Sequence, residues 1–165
     1  RMGRPEDDPL VDEYYDALLY HYARDLDTHT RLYEGAMEAV ADLKARGYLV
    51  AVCTNKPEAL AHDLLVRLGV RDTFASMLGA DTLTVRKPDP EHLRETVRRA
   101  GGDPARSLLV GDSDTDRNTS RAANVPSILV TFGPSGDDMA ALEPEALLHR
   151  YGDLPDLVEQ LLGKA

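Results

Sequence analysis

Three short clusters of polar residues adjoin apolar runs, and their side chains could handle an anion and a metal ion. The first contains Thr54, Asn55 and Lys56 and comes directly after the apolar run 48–53. A hydroxyl, an amide and the backbone N–H groups at the start of a helix together can bind an anion. Thr and Asn are also common helix-capping residues, so this cluster alone leaves both interpretations open.

The second cluster is Lys87, which is followed by Pro88, Asp89 and Pro90. The flanking prolines restrict the backbone, so the ammonium group is held in one region, where it could neutralise a phosphate or a carboxylate. A solvated surface lysine is the ordinary alternative. Asp89 and Pro90 suit the N-cap and the first position of a helix.

The third cluster is acidic and follows the apolar run 107–111. Asp112, Asp114 and Asp116 place three carboxylates within five residues. Like charges this close repel each other unless a cation offsets them. Mg²⁺ takes oxygen ligands, keeps several waters and uses one or two carboxylates, so the cluster suits it. An acidic first helical turn, favoured by the helix dipole, is the alternative.

Apolar runs and helical stripes alternate along the chain from about residue 31. The runs predict strands at 48–53, 74–78, 107–111 and 127–132. Helices are predicted to begin near the following residues: Ala36, Pro57, Pro90, Thr115 and Leu154. This alternation predicts an α/β fold with a parallel sheet. Ligands of such sheets bind beyond the carboxyl ends of the strands, where all three clusters lie.

Residues 1–30 differ in character from the rest, with eight acidic and three basic side chains. Apolar side chains recur there at helical spacing and predict an amphipathic helix over residues 8–26. The sequence therefore predicts two parts, an opening segment of residues 1–30 and an α/β core of residues 31–165.

The composition argues against several classes of protein. A chain of 165 residues with 42% hydrophobic and 29% charged residues is typical of about one globular domain. Its net charge of −10 argues against a nucleic-acid partner. Cys53, the one cysteine, excludes an internal disulfide and a cysteine-based zinc site within one chain.

The sequence also bears on location and on nucleotide chemistry. No apolar run approaches the ~18 residues of a membrane span, so we expect no membrane partner. No basic-then-apolar leader opens the chain, so we expect a cytoplasmic protein. A Gly-rich P-loop is absent from the sequence, which argues against nucleotide hydrolysis of that type.

Taken together, the three clusters resemble those of the haloacid dehalogenase-like phosphohydrolases, and among these the phosphoglycolate phosphatase-like branch. The resemblance covers about residues 31–135 and rests on four stretches: 32–35, 52–57, 86–90 and 110–116. It implies a Rossmann-like three-layer α/β/α core around a parallel sheet. It also implies an α-helical cap, of which residues 1–30 would be a remnant.

The resemblance implies a role for each cluster. Thr54 and Asn55 would bind the transferring phosphoryl group, and Lys87 would stabilise its charge. Asp112 would be a Mg²⁺ ligand, and Asp116 would support the metal or its waters and orient Lys87. Thr54, Lys87 and Asp116 are thus the expected catalytic residues. The expected partner is a small phosphorylated metabolite, with 2-phosphoglycolate the best single candidate.

One element of the family pattern is missing. The family begins with a strand ending in Asp-x-Asp, whose first Asp forms an aspartyl-phosphate and whose second acts as general acid and base. Residues 1–47 contain no such strand, because Asp25 and Asp27 fall at the end of the predicted amphipathic helix. We therefore expect a core without its first strand, inactive by itself, and a full-length parent that is a phosphatase.

The absent strand belongs between the strands 49–53 and 108–111. We expect either that residues outside this sequence or another chain supply it, or that the two flanking strands pair directly.

Two functions are alternatives to phosphatase activity: a β-phosphoglucomutase-like phosphoryl transferase, and a pseudo-enzyme that binds phosphate and Mg²⁺ without turnover. A receiver-like signalling domain is disfavoured, because Thr54 and Lys87 precede Asp112. Nothing in the sequence predicts the oligomeric state.

Overall fold

The computed structural model describes residues 30–133 and 136–165. The chain divides into two units, residues 1–31 and 32–165, of which the second is described below. The helix predicted over residues 8–26, and with it the proposed cap remnant, lies outside the described residues.

Helices and strands alternate in the described core. The helices are α1 (Ala36–Ala45), α2 (Glu58–Arg67), α3 (Pro90–Arg99), α4 (Asp114–Ala123) and α5 (Leu154–Leu162). The strands are β1 (Val52–Cys53), β2 (Met77–Leu78), β3 (Leu109–Gly111), β4 (Ser127–Val130) and β5 (Ala146–Leu148). Short 3₁₀ turns lie at Arg71–Thr73, Pro104–Arg106, Gly136–Leu142 and Tyr151–Asp153.

The strands form two parallel sheets. One has the order β1-β2, with Val52 opposite Met77, and the other has the order β3-β4-β5, with Val110 opposite Ile128. Within residues 30–133 and 136–165, no ladder joins β1 to β3. The direct pairing of these two strands, one of the two expected outcomes, is therefore not observed in the described part of the chain.

The strands are shorter than the apolar runs that predicted them. The run 48–53 gives only Val52–Cys53, and the run 107–111 gives Leu109–Gly111. Each of these two strands pairs on one side only in the described core, which limits the length over which a ladder can form. β5 was not predicted, since three apolar residues in a row indicate neither a strand nor a helix.

Two apolar clusters hold helices against opposite faces of the larger sheet. Ile128 and Val130 of β4 pack with side chains of α1 and α5, including Leu43 and Val158. Leu109 of β3 packs in the second cluster with residues of α3 and α4. These layers confirm the expected α/β/α arrangement of the core.

Two helix starts near the polar clusters have side-chain caps. Asp89 accepts a hydrogen bond from the Glu91 N–H at 2.9 Å, which confirms the predicted cap of α3. Ser113 caps α4, accepting from the Asp116 N–H, so this helix begins one residue earlier than predicted. Across the described residues, none of the helices combines the length and apolar character that a bilayer crossing requires.

Candidate functional site

Thr54 stands at the carboxyl end of β1, where the strand passes into the loop before α2. Its backbone N–H donates to the carbonyl of Leu78 in β2 over 3.0 Å, which fixes it against the sheet. Its Oγ1 accepts a hydrogen bond from the Lys56 N–H at 3.1 Å. The hydroxyl proton finds no acceptor among the described residues, so it can be donated to a ligand.

The N-terminus of α2 is capped by Asp81, a residue of the loop after β2. Pro57 occupies the N-cap position and offers no side-chain hydrogen bond. The Glu58 N–H instead donates to Asp81 Oδ1 at 2.7 Å. The amides at this helix start were expected to be open to an anion, but the first of them is already satisfied. The Thr54 hydroxyl and the backbone N–H of Asn55 remain as the candidate anion donors of this loop.

Lys87 and Asp116 form a buried ion pair. The Lys87 Nζ donates to Asp116 Oδ1 at 2.7 Å, and the two side chains are only 10% and 7% exposed. Lys87 precedes α3, whereas Asp116 lies in the first turn of α4. The pair therefore joins the second and third clusters of the sequence, and the ordinary alternative of a solvated Lys87 is wrong.

The second oxygen of Asp116 closes the loop after β3. Asp116 Oδ2 accepts from Ser113 Oγ at 2.6 Å and from the Asp112 N–H at 3.2 Å. The loop can fold this tightly because residue 111 is glycine: a Cβ there would lie 2.3 Å from Asp116 Cγ. Both carboxylate oxygens of Asp116 are thus engaged, and its geometry is that of a group that orients Lys87.

Asn55 connects the first cluster to the second. Its side-chain Nδ2 donates to the backbone carbonyl of Lys87 at 2.9 Å. With the Lys87–Asp116 pair and the Asp112 amide, this bond completes a continuous network. The structure therefore brings Thr54, Asn55, Lys87, Asp112 and Asp116 together at the carboxyl ends of β1 and β3.

Asp112 carries the carboxylate that is open at this edge of the sheet. Its side chain is exposed and accepts no hydrogen bond from the described residues. The loop after β4 passes close to Asp112: a Cβ added to Gly133 in that loop would lie 3.1 Å from Asp112 Cβ.

The residues at this edge fit Mg²⁺ in a limited sense. Among the described residues, no group of three or more His, Cys, Asp or Glu side chains could hold a metal ion by itself. Mg²⁺ needs no such group, since it is commonly held by one or two carboxylates with waters and substrate phosphate oxygens. Asp112 is the open carboxylate for that purpose, whereas both oxygens of Asp116, the other expected metal residue, are engaged by Lys87, Ser113 and the Asp112 N–H.

Cys53 of β1 and His92 of α3 lie next to the site, and neither was among the site residues expected from the sequence. His92 is fully buried, and its Nε2 lies 2.8 Å from the Gly79 carbonyl, which can only accept. Nε2 therefore donates, and in the neutral ring Nδ1 accepts from the Cys53 thiol at 3.3 Å. Burial raises the pKa of that thiol, an effect that nearby Lys87 opposes. The Cys53 thiol therefore forms less thiolate, the nucleophilic form, than an ordinary cysteine does at the same pH.

An aromatic cluster of Tyr33, Phe132 and Tyr151 lies near Asp112. Phe132 contacts Tyr33 and Tyr151 with ring centroids 5.2 Å and 5.1 Å apart, both in edge-on geometry. Burial raises the pKa of the Tyr151 hydroxyl, and the nearby Tyr33 and Asp112 add to that effect. Tyr151 therefore stays a neutral apolar neighbour of the acidic loop at physiological pH.

A groove of about 600 Å³ opens elsewhere, between the loop after β2 and α3. Its lining includes the carboxylates of Asp81, Glu91 and Glu95. A surface with this charge repels a phosphate ester, so we place the candidate site at the Thr54–Lys87–Asp112 edge.

Asp81 and Thr82 line this groove and also bond to Glu58, next to the loop that carries Thr54, a connection that the sequence did not indicate. They directly follow Gly79 and Ala80 at the carboxyl end of β2. The rule that polar residues beyond strand ends deserve inspection could have found them. What they bond to depends on a neighbouring loop, which no local pattern encodes.

The fold and this site define a class of protein, and comparison with known proteins supports it. The family model described as haloacid dehalogenase-like hydrolase matches residues 4–130. The chain therefore belongs to the haloacid dehalogenase-like hydrolase family.

Similar proteins carry a narrower description. A phosphoglycolate phosphatase of Mesorhizobium japonicum is 43% identical over 148 residues, which are 89% of this chain and 65% of that protein. One of Agrobacterium fabrum is 42% identical over 161 residues, 97% of this chain and 68% of that protein. The chain thus spans about two thirds of the length of these relatives.

A solved structure agrees with the fold. The crystal structure of a predicted phosphoglycolate phosphatase from Haemophilus somnus 129pt matches with a TM-score of 0.76 and 29% identity. The match covers 84% of this chain and 62% of that one.

Proposed function

We propose that the protein to which this chain belongs hydrolyses a small phosphate monoester, with 2-phosphoglycolate as the preferred candidate, in a Mg²⁺-dependent reaction. The observation that supports the proposal is the buried Lys87–Asp116 pair, which is hydrogen-bonded to Asn55 of the Thr54 loop and to the backbone N–H of Asp112. The substrate follows the names of the similar proteins from Mesorhizobium and Agrobacterium.

Each residue has a distinct task in this proposal. The Thr54 hydroxyl and the backbone N–H of Asn55 donate hydrogen bonds to phosphoryl oxygens. The Lys87 ammonium stabilises the negative charge that builds on those oxygens in the transition state. Asp116 holds Lys87 in place. Asp112 would hold Mg²⁺, which supplies further charge neutralisation on the phosphoryl oxygens when bound.

The covalent step needs a carboxylate nucleophile, which we assign to the Asp-x-Asp strand of the family, placed between β1 and β3. One oxygen of its first Asp bonds to phosphorus as the P–O bond to the substrate alcohol breaks. The second Asp protonates the leaving alkoxide and then accepts a proton from water as that water attacks phosphorus. This attack releases inorganic phosphate and regenerates the first Asp. The absence of a β1–β3 ladder in the described core supports this placement.

The test measures inorganic phosphate released from 2-phosphoglycolate, with Mg²⁺ and with excess chelator. We compare residues 1–165 with the protein expressed from the complete reading frame that contains them. The expected result is Mg²⁺-dependent turnover by the complete protein and none by residues 1–165. Turnover that survives excess chelator would contradict the metal assignment. Conversion of a sugar phosphate to its isomer without phosphate release would favour the mutase alternative.

A further inference from the structure

Several hydrogen bonds connect the loop after β2 to the start of α2. Asp81 Oδ1 accepts from the Glu58 N–H at 2.7 Å, and the Ala80 N–H donates to the Lys56 carbonyl at 2.9 Å. Thr82 Oγ1 accepts from the Gly79 N–H at 2.8 Å and donates to Glu58 Oε2 at 2.6 Å. We call residues 79–82 the bracing turn.

The bracing turn approaches α2 so closely that it excludes a side chain. A Cβ added to Gly79 would lie 2.4 Å from both the Cα and the N of Glu58. On its other side, the Gly79 carbonyl accepts from His92 Nε2 of α3 at 2.8 Å. The turn therefore connects α3, which follows Lys87, to the loop that carries Thr54.

This connection acts on the atoms proposed to bind phosphate. The Lys56 carbonyl accepts a hydrogen bond from the Ala80 N–H of the bracing turn, and the Lys56 N–H donates to Thr54 Oγ1. A shift of Lys56 would therefore move the Thr54 hydroxyl. Helix α2 has no cap of its own, since Pro57 provides no side-chain acceptor, so Asp81 is what fixes the helix start.

We propose that Asp81 is a positioning residue for phosphate binding: its carboxylate caps α2 from outside and so holds the Thr54 loop in its binding geometry. Thr82 assists by holding the Glu58 side chain. The inference rests on the proposed function only in taking Thr54 as a phosphate donor. Asp81 itself repels an anion, so its contribution comes through the hydrogen bond and not through its charge.

The negative charge of Asp81 weakens phosphate binding whereas its hydrogen bond supports it, so variants that separate the two effects test the proposal. Asp81→Asn and Asp81→Ala remove the same negative charge, but only Asn keeps a side-chain oxygen that can accept from the Glu58 N–H. If Asp81 acted by charge alone, both variants would bind phosphate equally, and more tightly than the wild type. If it acts by positioning, Asp81→Ala binds about fivefold more weakly than Asp81→Asn, the equivalent of one lost N-cap.

The experiment titrates residues 1–165 with inorganic phosphate and follows the amide signals of the Thr54 loop by NMR. Melting temperatures are measured on the same samples. The matched control is the pair Asp103→Ala and Asp103→Asn, since Asp103 Oδ1 accepts from the Ala105 N–H at 2.9 Å in the turn before β3. That turn lies at the opposite end of the sheet, so its variants can lower the melting temperature without changing phosphate affinity.

A difference in affinity between Asp81→Ala and Asp81→Asn, with none between the Asp103 variants, supports the proposal. Equal affinities for the two Asp81 variants overturn it. If Asp81→Ala does not fold, Thr82→Val and Thr82→Ser decide in the same way, because only Ser keeps the hydroxyl. If the wild-type residues 1–165 bind no phosphate, this inference is overturned, whereas the proposed function is decided separately by the turnover assay on the complete protein.

Discussion

The Lys87 ammonium and the Asp116 carboxylate lie 2.7 Å apart, and about nine-tenths of each side chain is buried. Removing two charges from water costs several kcal/mol per ion, a cost that mutual attraction and added hydrogen bonds must offset. Asp116 has those added bonds, from Ser113 and from the Asp112 amide. Lys87 has Asp116 as the counter-ion that the structure shows, so each residue depends on the other.

Replacing Lys87 alone should therefore destabilise the fold. Lys87→Met leaves a buried carboxylate without its cation, and we expect a loss of roughly 3–5 kcal/mol in the free energy of unfolding. The double variant Lys87→Met with Asp116→Asn should recover part of this loss, because the uncompensated charge is gone. Urea denaturation at neutral pH measures both.

The control for that comparison is Arg98→Met. Arg98 pairs with Glu91 and Glu95 on the surface of α3 with about half of its side chain exposed, so little change is expected. Equal losses for Lys87→Met and Arg98→Met would show that the Lys87 pair is no more important than a surface pair.

Gly111 should not tolerate even a methyl group. A Cβ at this position falls 2.3 Å from Asp116 Cγ, so Gly111→Ala must displace the carboxylate that holds Lys87. We expect a loss of about 1–3 kcal/mol, the range for overpacked sites. Gly152→Ala is the matched control, since a Cβ there meets nothing within 4 Å. Thermal unfolding of both variants is the measurement, and similar melting temperatures would contradict the prediction.

Mg²⁺ should stabilise the chain through Asp112. A ligand that binds only the folded state raises its stability in proportion to the logarithm of its concentration above the dissociation constant. We expect added Mg²⁺ to raise the melting temperature of the wild type but not that of Asp112→Asn. Asp114→Asn changes the same charge on an exposed neighbour whose Oδ1 accepts from the Thr115 N–H, and it should keep the response. A chelator should reverse the shift.

Cys53 should react slowly in the folded protein. Burial raises the pKa of its thiol, and the thiolate is the form that an alkylating reagent attacks. Since the chain has one cysteine, mass spectrometry of the alkylated protein reports this residue alone. We expect alkylation at about pH 8 to be at least tenfold slower in the native chain than in urea. Comparable rates would mean that Cys53 is open to solvent.

Glu145 should make stability depend on pH. Although burial alone would raise the pKa of its carboxyl, hydrogen bonds from the Ser127 N–H and Arg117 outweigh this and lower it. A carboxyl whose pKa is lower in the folded than in the unfolded state stabilises the protein fully at pH values above its unfolded-state pKa, which is near 4.5. This contribution is lost as the pH falls through the folded-state pKa. The partly exposed position keeps the effect below about 1 kcal/mol.

The measurement for Glu145 is the free energy of unfolding of the wild type and of Glu145→Gln from neutral pH downward. The difference between the two should be largest at neutral pH and should shrink below pH 4.5. A difference that stays constant across this range would remove Glu145 as a source of the pH dependence.

Local sequence patterns predicted most of the helices and strands, and they predicted that the site residues lie at one edge of the sheet. Asp89 with Pro90 marked the start of α3, and the acidic loop after β3 stood where an apolar run ends. These features depend on residues near one another in sequence. The alternation of strands and helices then places the strand ends on one edge, so that edge could be predicted without coordinates.

The features that escaped prediction all depend on contacts between distant residues. The length of β1 depends on its partners and not on its own apolar run. The capping of α2 by Asp81 joins residues 23 positions apart, and no pattern around Glu58 shows that its amide is satisfied there. His92 looks from the sequence like an ordinary helix residue, and only the fold shows that both ring nitrogens are engaged.

The division of the strands into two sheets has a consequence for how the molecule opens. In the described core, β1 and β3 share no ladder, whereas α3 touches both sides, with His92 against Cys53 and Leu93 beside Leu109. The two sheets are therefore joined by side-chain packing and by α3, and not by a hydrogen-bonded ladder. Segments with few ladder hydrogen bonds open at lower free energies than the buried centre of a sheet. The amides of β4, buried at the centre of its sheet, should exchange with solvent far more slowly than those of β1.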